Sequence, residues 1–111
     1  MRRGPMGHMV IVVYRPRAGK EAQLLDVLRE HVPILRGEGL ATDRAPLVLR
    51  AKDGSMIEIF EWASAEAVDR AHTNPAVLAM WGRFEEACTY EKLASLPEAN
   101  DLFAHFEPVD L

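Results

Sequence analysis

From His8 to Arg15 the run HMVIVVYR is β-branched and aromatic, with Val10, Val12 and Tyr14 alternating against Met9, Ile11 and Val13. Such a run predicts a strand, and Pro16 ends it because proline offers no N–H for pairing. Ala18-Gly19-Lys20 then turns the chain into a helix whose Leu24, Leu28, His31 and Leu35 recur at helical spacing, widened by Leu25 and Val32. Pro33 removes a backbone donor and crowds the turn before it. The helix is therefore expected to hold to about His31, kink, and be released by Gly37 and Gly39.

Two further strand-like runs, Pro46 to Lys52 and Ser55 to Ala63, are joined by Asp53-Gly54, a dipeptide suited to positive φ at both centres of a two-residue hairpin. Pairing outward from that turn sets Lys52 against Ser55, Arg50 against Ile57, Leu49 against Glu58 and Leu47 against Phe60. One face then carries Leu47, Leu49, Met56, Glu58, Phe60 and Trp62, the other Val48, Arg50, Ile57, Ile59 and Glu61. Ser64 is an N-cap for a short helix to about Ala71, and Asn74-Pro75 restarts the helix to about Cys88 with Val77, Trp81, Phe84 and Cys88 on one stripe. Thr89 to Leu96 reads as the last main strand, and Pro97 opens a short amphipathic helix through Phe103.

The order strand, helix, strand, strand, helix, strand is the split βαβ arrangement of a ferredoxin-like α+β sandwich: a four-stranded antiparallel sheet with both main helices on one face. Strand one and the hairpin are apolar on both sides, so the face without helices is expected to bury itself against a second copy, giving a homodimer through sheet faces.

Composition narrows the class. The chain has 111 residues, 49% hydrophobic and 27% charged, which suits one domain over residues 8–111. Met1 to Gly7 (MRRGPMG) has no periodicity and reads as a disordered leader, an expression remnant or an over-long start. With a net charge of -4 and no basic stripe, a nucleic-acid partner is not expected. The longest apolar run, Met9 to Tyr14, is far short of the roughly 20 residues of a membrane span and too short for a secretory signal, so a cytoplasmic protein with no membrane partner is expected. A single cysteine, Cys88, excludes an internal disulfide, and four histidines without paired spacing argue against a metal site. No nucleotide-binding glycine motif or nucleophile elbow occurs.

The stretches YRPRAGKEAQLL and IEIFEWASAEAVDRAHTNPAVLAMW resemble the antibiotic-biosynthesis-monooxygenase-like family of dimeric α/β barrels, over about Val10 to Tyr90. The most telling part is Glu61-Trp62-Ala63-Ser64 closing the third strand, followed by His72 and Asn74-Pro75 at the helix break. The resemblance implies a ferredoxin-like fold, dimerisation through the sheets, and a ligand cleft between helices and sheet. It also implies a choice of activities, among them oxidation of phenols to quinones by molecular oxygen without a cofactor, and haem degradation. The haem branch uses an Asn on the first strand and an axial His on the second helix. Here the first strand has no Asn, and Trp81 falls near the axial position. Many relatives carry His directly after the Pro of the helix break, where this chain has Ala76.

His72, at the end of the first half of the second helix, is the candidate catalytic base, since a neutral imidazole deprotonates a phenol near neutral pH. Equally, it could cap the preceding helix C-terminus. Trp81 and Trp62 are candidate aromatic walls for a planar ligand, with core packing as the alternative. Glu58 is the odd residue, one carboxylate among apolar neighbours, and either meets a cation or is a cleft acid with an altered pKa; the ion pair is the favoured reading. His31 interrupts the apolar stripe of the first helix and faces the same cleft or forms a hydrogen-bonded core edge. Cys88 reads as a small buried apolar residue. Two functions follow. One is a cofactor-independent monooxygenase acting on a small aromatic or polyketide-like compound; the other is a non-catalytic dimeric module that binds a small hydrophobic ligand or is structural only. An open or filled space between helices and sheet separates them.

Overall fold

In the computed structural model, residues 7–111 are described; of the expected leader only Gly7 falls within them. Strand β1 (His8–Pro16) leads into helix α1 (Glu21–Gly37), then β2 (Leu47–Arg50), β3 (Met56–Trp62), helices α2 (Ala65–Ala71) and α3 (Pro75–Ala87), β4 (Cys88–Glu91) and β5 (Glu107–Pro108). The sheet is antiparallel throughout, in the order β4-β1-β3-β2-β5. The fold is α+β with both main helices on one face. Leu24, Leu28 and Leu35 of α1 and Val77, Met80 and Phe84 of α3 pack with Tyr14, Met56 and Phe60 from alternate sheet positions.

Local chemistry explains the helix boundaries. Ser64 Oγ accepts from Ala67 N at 3.1 Å, and Asn74 Oδ1 accepts from Val77 N at 3.1 Å, so each helix start has one of its orphan N–H groups satisfied. Pro75 occupies the first turn of α3, where its missing N–H costs nothing. The expected stop near His31 is corrected: α1 continues through Pro33 to Gly37. Burial of Leu35 beyond the proline outweighs the one lost backbone bond.

Three sheet expectations are also corrected. The hairpin register is offset by one residue: Arg50 faces Met56, Leu49 faces Ile57, Val48 faces Glu58 and Leu47 faces Ile59. Of the Asp53-Gly54 pair only Gly54 takes positive φ (90°). Gly54 N donates to Ala51 O at 3.0 Å and Ala51 N to Ser55 O at 2.8 Å, so the loop has three residues with a left-handed glycine closing it. A one-residue shift exchanges faces. Val48 and Arg50 join Glu58 and Phe60 under the helices, while Leu47 and Leu49 move to the open face with Ile57 and Ile59.

Next, the sheet has five strands because Glu107–Pro108 adds to the β2 edge, where a proline is tolerated. Finally, β4 ends at Glu91, and short 3-10 turns at Leu93–Ser95 and Pro97–Asn100 replace the rest of the expected strand and the expected helix through Phe103. That bend carries Leu96 into full burial with Val13, Ala51 and Ile57, and Phe106 packs on the same cluster. The Glu98 carboxylate accepts from Lys52 N at 2.9 Å and fixes the bend to the hairpin.

The chain's own C-terminal segment thus covers one part of the open sheet face. Another part stays bare: Met9 and Ile11 on β1 are 51% and 49% exposed and Leu47 on β2 is 60% exposed, with Ile59 of β3 between Ile11 and Leu47. A second copy of the chain is expected on this strip, because contiguous apolar surface of that kind usually marks an association site. Light scattering at micromolar concentration should give twice the chain mass. Ile11→Glu with Leu47→Glu should return the monomer mass with unchanged circular dichroism, and a wild-type monomer would refute the expectation.

Candidate functional site

The helix-side face of the sheet presents Val10, Val12 and Tyr14 from β1 and Phe60 and Trp62 from β3. Above them His31 of α1, His72 at the end of α2, and Trp81 and Phe84 of α3 complete a cavity of about 410 Å³, large enough for a small organic ligand. The space between helices and sheet is therefore open, not filled by Trp81, Phe84 and Phe60. Its shape follows from the helix break: α2 stops at Ala71 and α3 starts at Pro75, so no continuous helix lies over this part of the sheet.

The walls are aromatic and mutually braced. Tyr14 and Phe84 stack with centroids 5.0 Å apart and planes 15° off parallel. Trp62, 7% exposed, tilts against Phe60 at 5.3 Å. Trp81 is half-buried and meets the His72 ring edge-on at 5.1 Å.

Glu58 lies at the centre of β3, between Val12 on β1 and Val48 on β2, with no exposed surface. Tyr14 Oη donates to its Oε1 at 2.7 Å, and His31 Nδ1 lies 2.7 Å from the same oxygen. The partner of Glu58 is thus an imidazole, with no Lys or Arg on the carboxylate among the described residues. With Glu58 ionised, Oε1 accepts from both groups, which places a His31 proton on Nδ1 and leaves Nε2 as the ring's lone-pair nitrogen. Among the described residues, Glu58 Oε2 is buried without a hydrogen-bond partner. The His31 ring, 4% exposed, is held edge-on between Phe60 and Phe84, with 5.0 Å between centroids on each side. Burial, and next the charge of Glu58, hold the Tyr14 hydroxyl well above the ordinary tyrosine value of 10.0. Tyr14 is therefore a donor and keeps its proton.

His72 is exposed, and its Nδ1 lies 2.8 Å from Val68 O, one turn back in α2. The capping geometry is present, and it coexists with a place on the cavity wall. As donor to that carbonyl, Nδ1 holds the proton and Nε2 keeps its lone pair. Asn74 caps α3 and also donates to Glu38 at 2.9 Å, away from the cavity. Cys88 is buried, its Sγ donates to Phe84 O at 3.1 Å, and burial pushes the thiol up to about 11. Such a thiol is a weak nucleophile.

All five residues singled out from the sequence, His31, Glu58, Trp62, His72 and Trp81, thus meet at or against this one cavity, Glu58 through the ring of His31. Tyr14 was missed. The signal was available: Tyr14 is the one polar side chain in the Val10, Val12, Tyr14 alternation and lies one strand away from Glu58. Among the described residues no three His, Cys, Asp or Glu side chains are grouped to hold a metal ion, and no helix is long and apolar enough to cross a membrane.

A buried carboxylate–imidazole pair in a small apolar layer is seldom the most stable choice. Removing one partner, as in His31→Leu, should lower stability by about 3 kcal/mol or more because the carboxylate loses its compensation. The double change His31→Leu with Glu58→Met should recover most of that loss in urea unfolding. A double variant as unstable as the single one would show that the pair itself holds the fold.

No family model matches the chain, and no curated protein matches it. Among solved structures it is similar to SnoaB, a cofactor-independent oxygenase from Streptomyces nogalater, with a TM-score of 0.64 and 20% identity over 78% of this chain and 87% of that one. At that identity the likeness shows the fold, a sheet with helices on one face.

Proposed function

We propose that the protein is a cofactor-independent monooxygenase that oxidises a small phenolic or polyketide-like aromatic compound with molecular oxygen. The observation that carries this reading is the open, aromatic cavity into which two imidazoles project, each with Nδ1 tied to the protein and Nε2 left over. The fold shared with an oxygenase that needs no cofactor supports it.

A planar substrate would lie among Trp62, Trp81 and Tyr14, held by stacking. Loss of its hydroxyl proton to a cavity imidazole gives an electron-rich anion, which can pass an electron to oxygen within the apolar walls of the cavity. For an anthrone-type substrate the ring CH2 carbon takes up both oxygen atoms as a hydroperoxide. Loss of water then leaves C=O, so one O2 is consumed and one water is formed per turnover. Protein groups supply binding and proton transfer, and the substrate anion supplies the electrons.

An oxygen electrode, run against a panel of anthrone-like and naphthol compounds with quinone absorbance followed in parallel, tests the reading. One oxygen should disappear per quinone formed. Trp81→Ala, which removes one wall, and His72→Ala, which removes one of the two imidazoles, should each lower kcat/KM by about tenfold or more. Tight binding of these compounds without oxygen uptake would refute the monooxygenase and leave the small-molecule-binding module in its place.

A further inference from the structure

We propose that the proton-accepting group of this cavity is the buried pair His31–Glu58, with His31 Nε2 taking the proton of an acidic hydroxyl and Glu58 positioning the ring. The inference rests on the reading of the cavity as a site for phenols, and it names the part of that site which selects phenols and enols over neutral aromatic ligands.

Two histidines reach the cavity and their surroundings differ in kind. The Nδ1 of His72 meets a neutral backbone carbonyl, and its ring is exposed. Water therefore competes for its Nε2 and screens any charge it gains. The Nδ1 of His31 meets a carboxylate at 2.7 Å, in a place where neither residue is appreciably exposed. A carboxylate behind an imidazole fixes the tautomer and stabilises the imidazolium that forms when the far nitrogen takes a proton. In a low-dielectric layer that support is much stronger than in water.

The remaining features of the pair fit this role. Phe60 and Phe84 clamp the imidazole edge-on from two sides, so its plane is set before a ligand enters. Tyr14 Oη donates to the same carboxylate oxygen and holds Glu58 from the opposite side. Glu58 keeps one oxygen buried and without a partner among the described residues. An orphaned carboxylate oxygen in an apolar layer costs stability, and that cost is accounted for if the charge is needed when a cation arises beside it. The step is a single proton transfer. The substrate O–H bond breaks, the Nε2–H bond forms, and the electron pair stays on the substrate oxygen. Glu58 remains a carboxylate and Tyr14 keeps its proton. His72 then holds the substrate at the cavity mouth.

A chromogenic phenol, 4-nitrophenol, reads this step without any turnover, because only its anion is yellow. Its titration into the wild-type protein, about one pH unit below the pKa of the free probe, should produce the phenolate spectrum on binding. His31→Gln should bind the probe and leave it colourless. Glu58→Gln, acting through His31, should cut the bound anion fraction about tenfold. Because His31→Gln could unfold the chain, nitrogen NMR on the wild-type protein gives a second readout: probe binding should move His31 Nε2 from its unprotonated to its protonated position. A bound probe that stays neutral, colour that depends on His72 and not on His31, or an NMR change confined to His72 would overturn the proposal. Probe ionised through His31 with no oxygen uptake by any phenol would overturn the monooxygenase alone. Oxygen uptake with probe ionisation indifferent to His31 would overturn the pair alone. A probe that does not bind overturns both.

Discussion

Glu58 has no exposed surface, and three elements converge on it: β3 carries it, β1 brings Tyr14, and α1 brings His31. Water would otherwise solvate that carboxylate, and the penalty for withdrawing it is several kcal/mol, so the register of β1 on β3 and the rotation of α1 must both be right for the group to be tolerated. A shift of β1 by one residue would turn Tyr14 to the other face. A rotation of α1 by one position would take His31 off the stripe that Leu24, Leu28 and Leu35 define. The aromatic ring pairs around the cavity follow from the same placement, since Tyr14 stacks on Phe84 and His31 sits between Phe60 and Phe84.

An apolar layer of this size would ordinarily close up. Here two local signals keep it open. Asn74-Pro75 restarts the helix after a three-residue gap, and the side chains that close over the space, His72 and Trp81, brace each other edge-on above the sheet. Ala67 and Ala71 on α2 are fully buried and small, so α2 settles close to the rest of the core without sending a large side chain into the space. Bulk is supplied at the rim by aromatic rings, which hold their positions with few rotatable bonds and offer flat faces to a ligand.

Much of this was legible in the sequence. The two helix starts were written in Ser64 and Asn74-Pro75, residues whose capping role is local chemistry, and the structure shows both caps. The placement of both main helices on one face followed from the order of strands and helices along the chain. The misreadings have physical reasons. Asp53-Gly54 signals a hairpin but not its loop length; only Gly54 took the left-handed conformation, and that one residue moved Leu47 and Leu49 to the opposite face. The bend after β4 depends on Leu96 finding a pocket against Val13 and Ile57, a long-range contact that no local pattern encodes. Likewise the continuation of α1 past Pro33 was decided by the burial of Leu35.

The site itself shows where reading residue by residue stops. Glu58 was conspicuous as a charge among apolar neighbours, and His31 as a break in a stripe, but their meeting depends on how α1 lies across β3. Once that packing is known, the same residue type takes two roles through its neighbours. At His72 a backbone carbonyl at the end of a short helix fixes the tautomer; at His31 a buried carboxylate does so and also supports a proton on the far nitrogen. Hydrogen-bond geometry alone would rank the two imidazoles as equals, since each is tied through Nδ1 at 2.7–2.8 Å. Burial separates them, because the field of a carboxylate weakens steeply when water has access and persists where it does not.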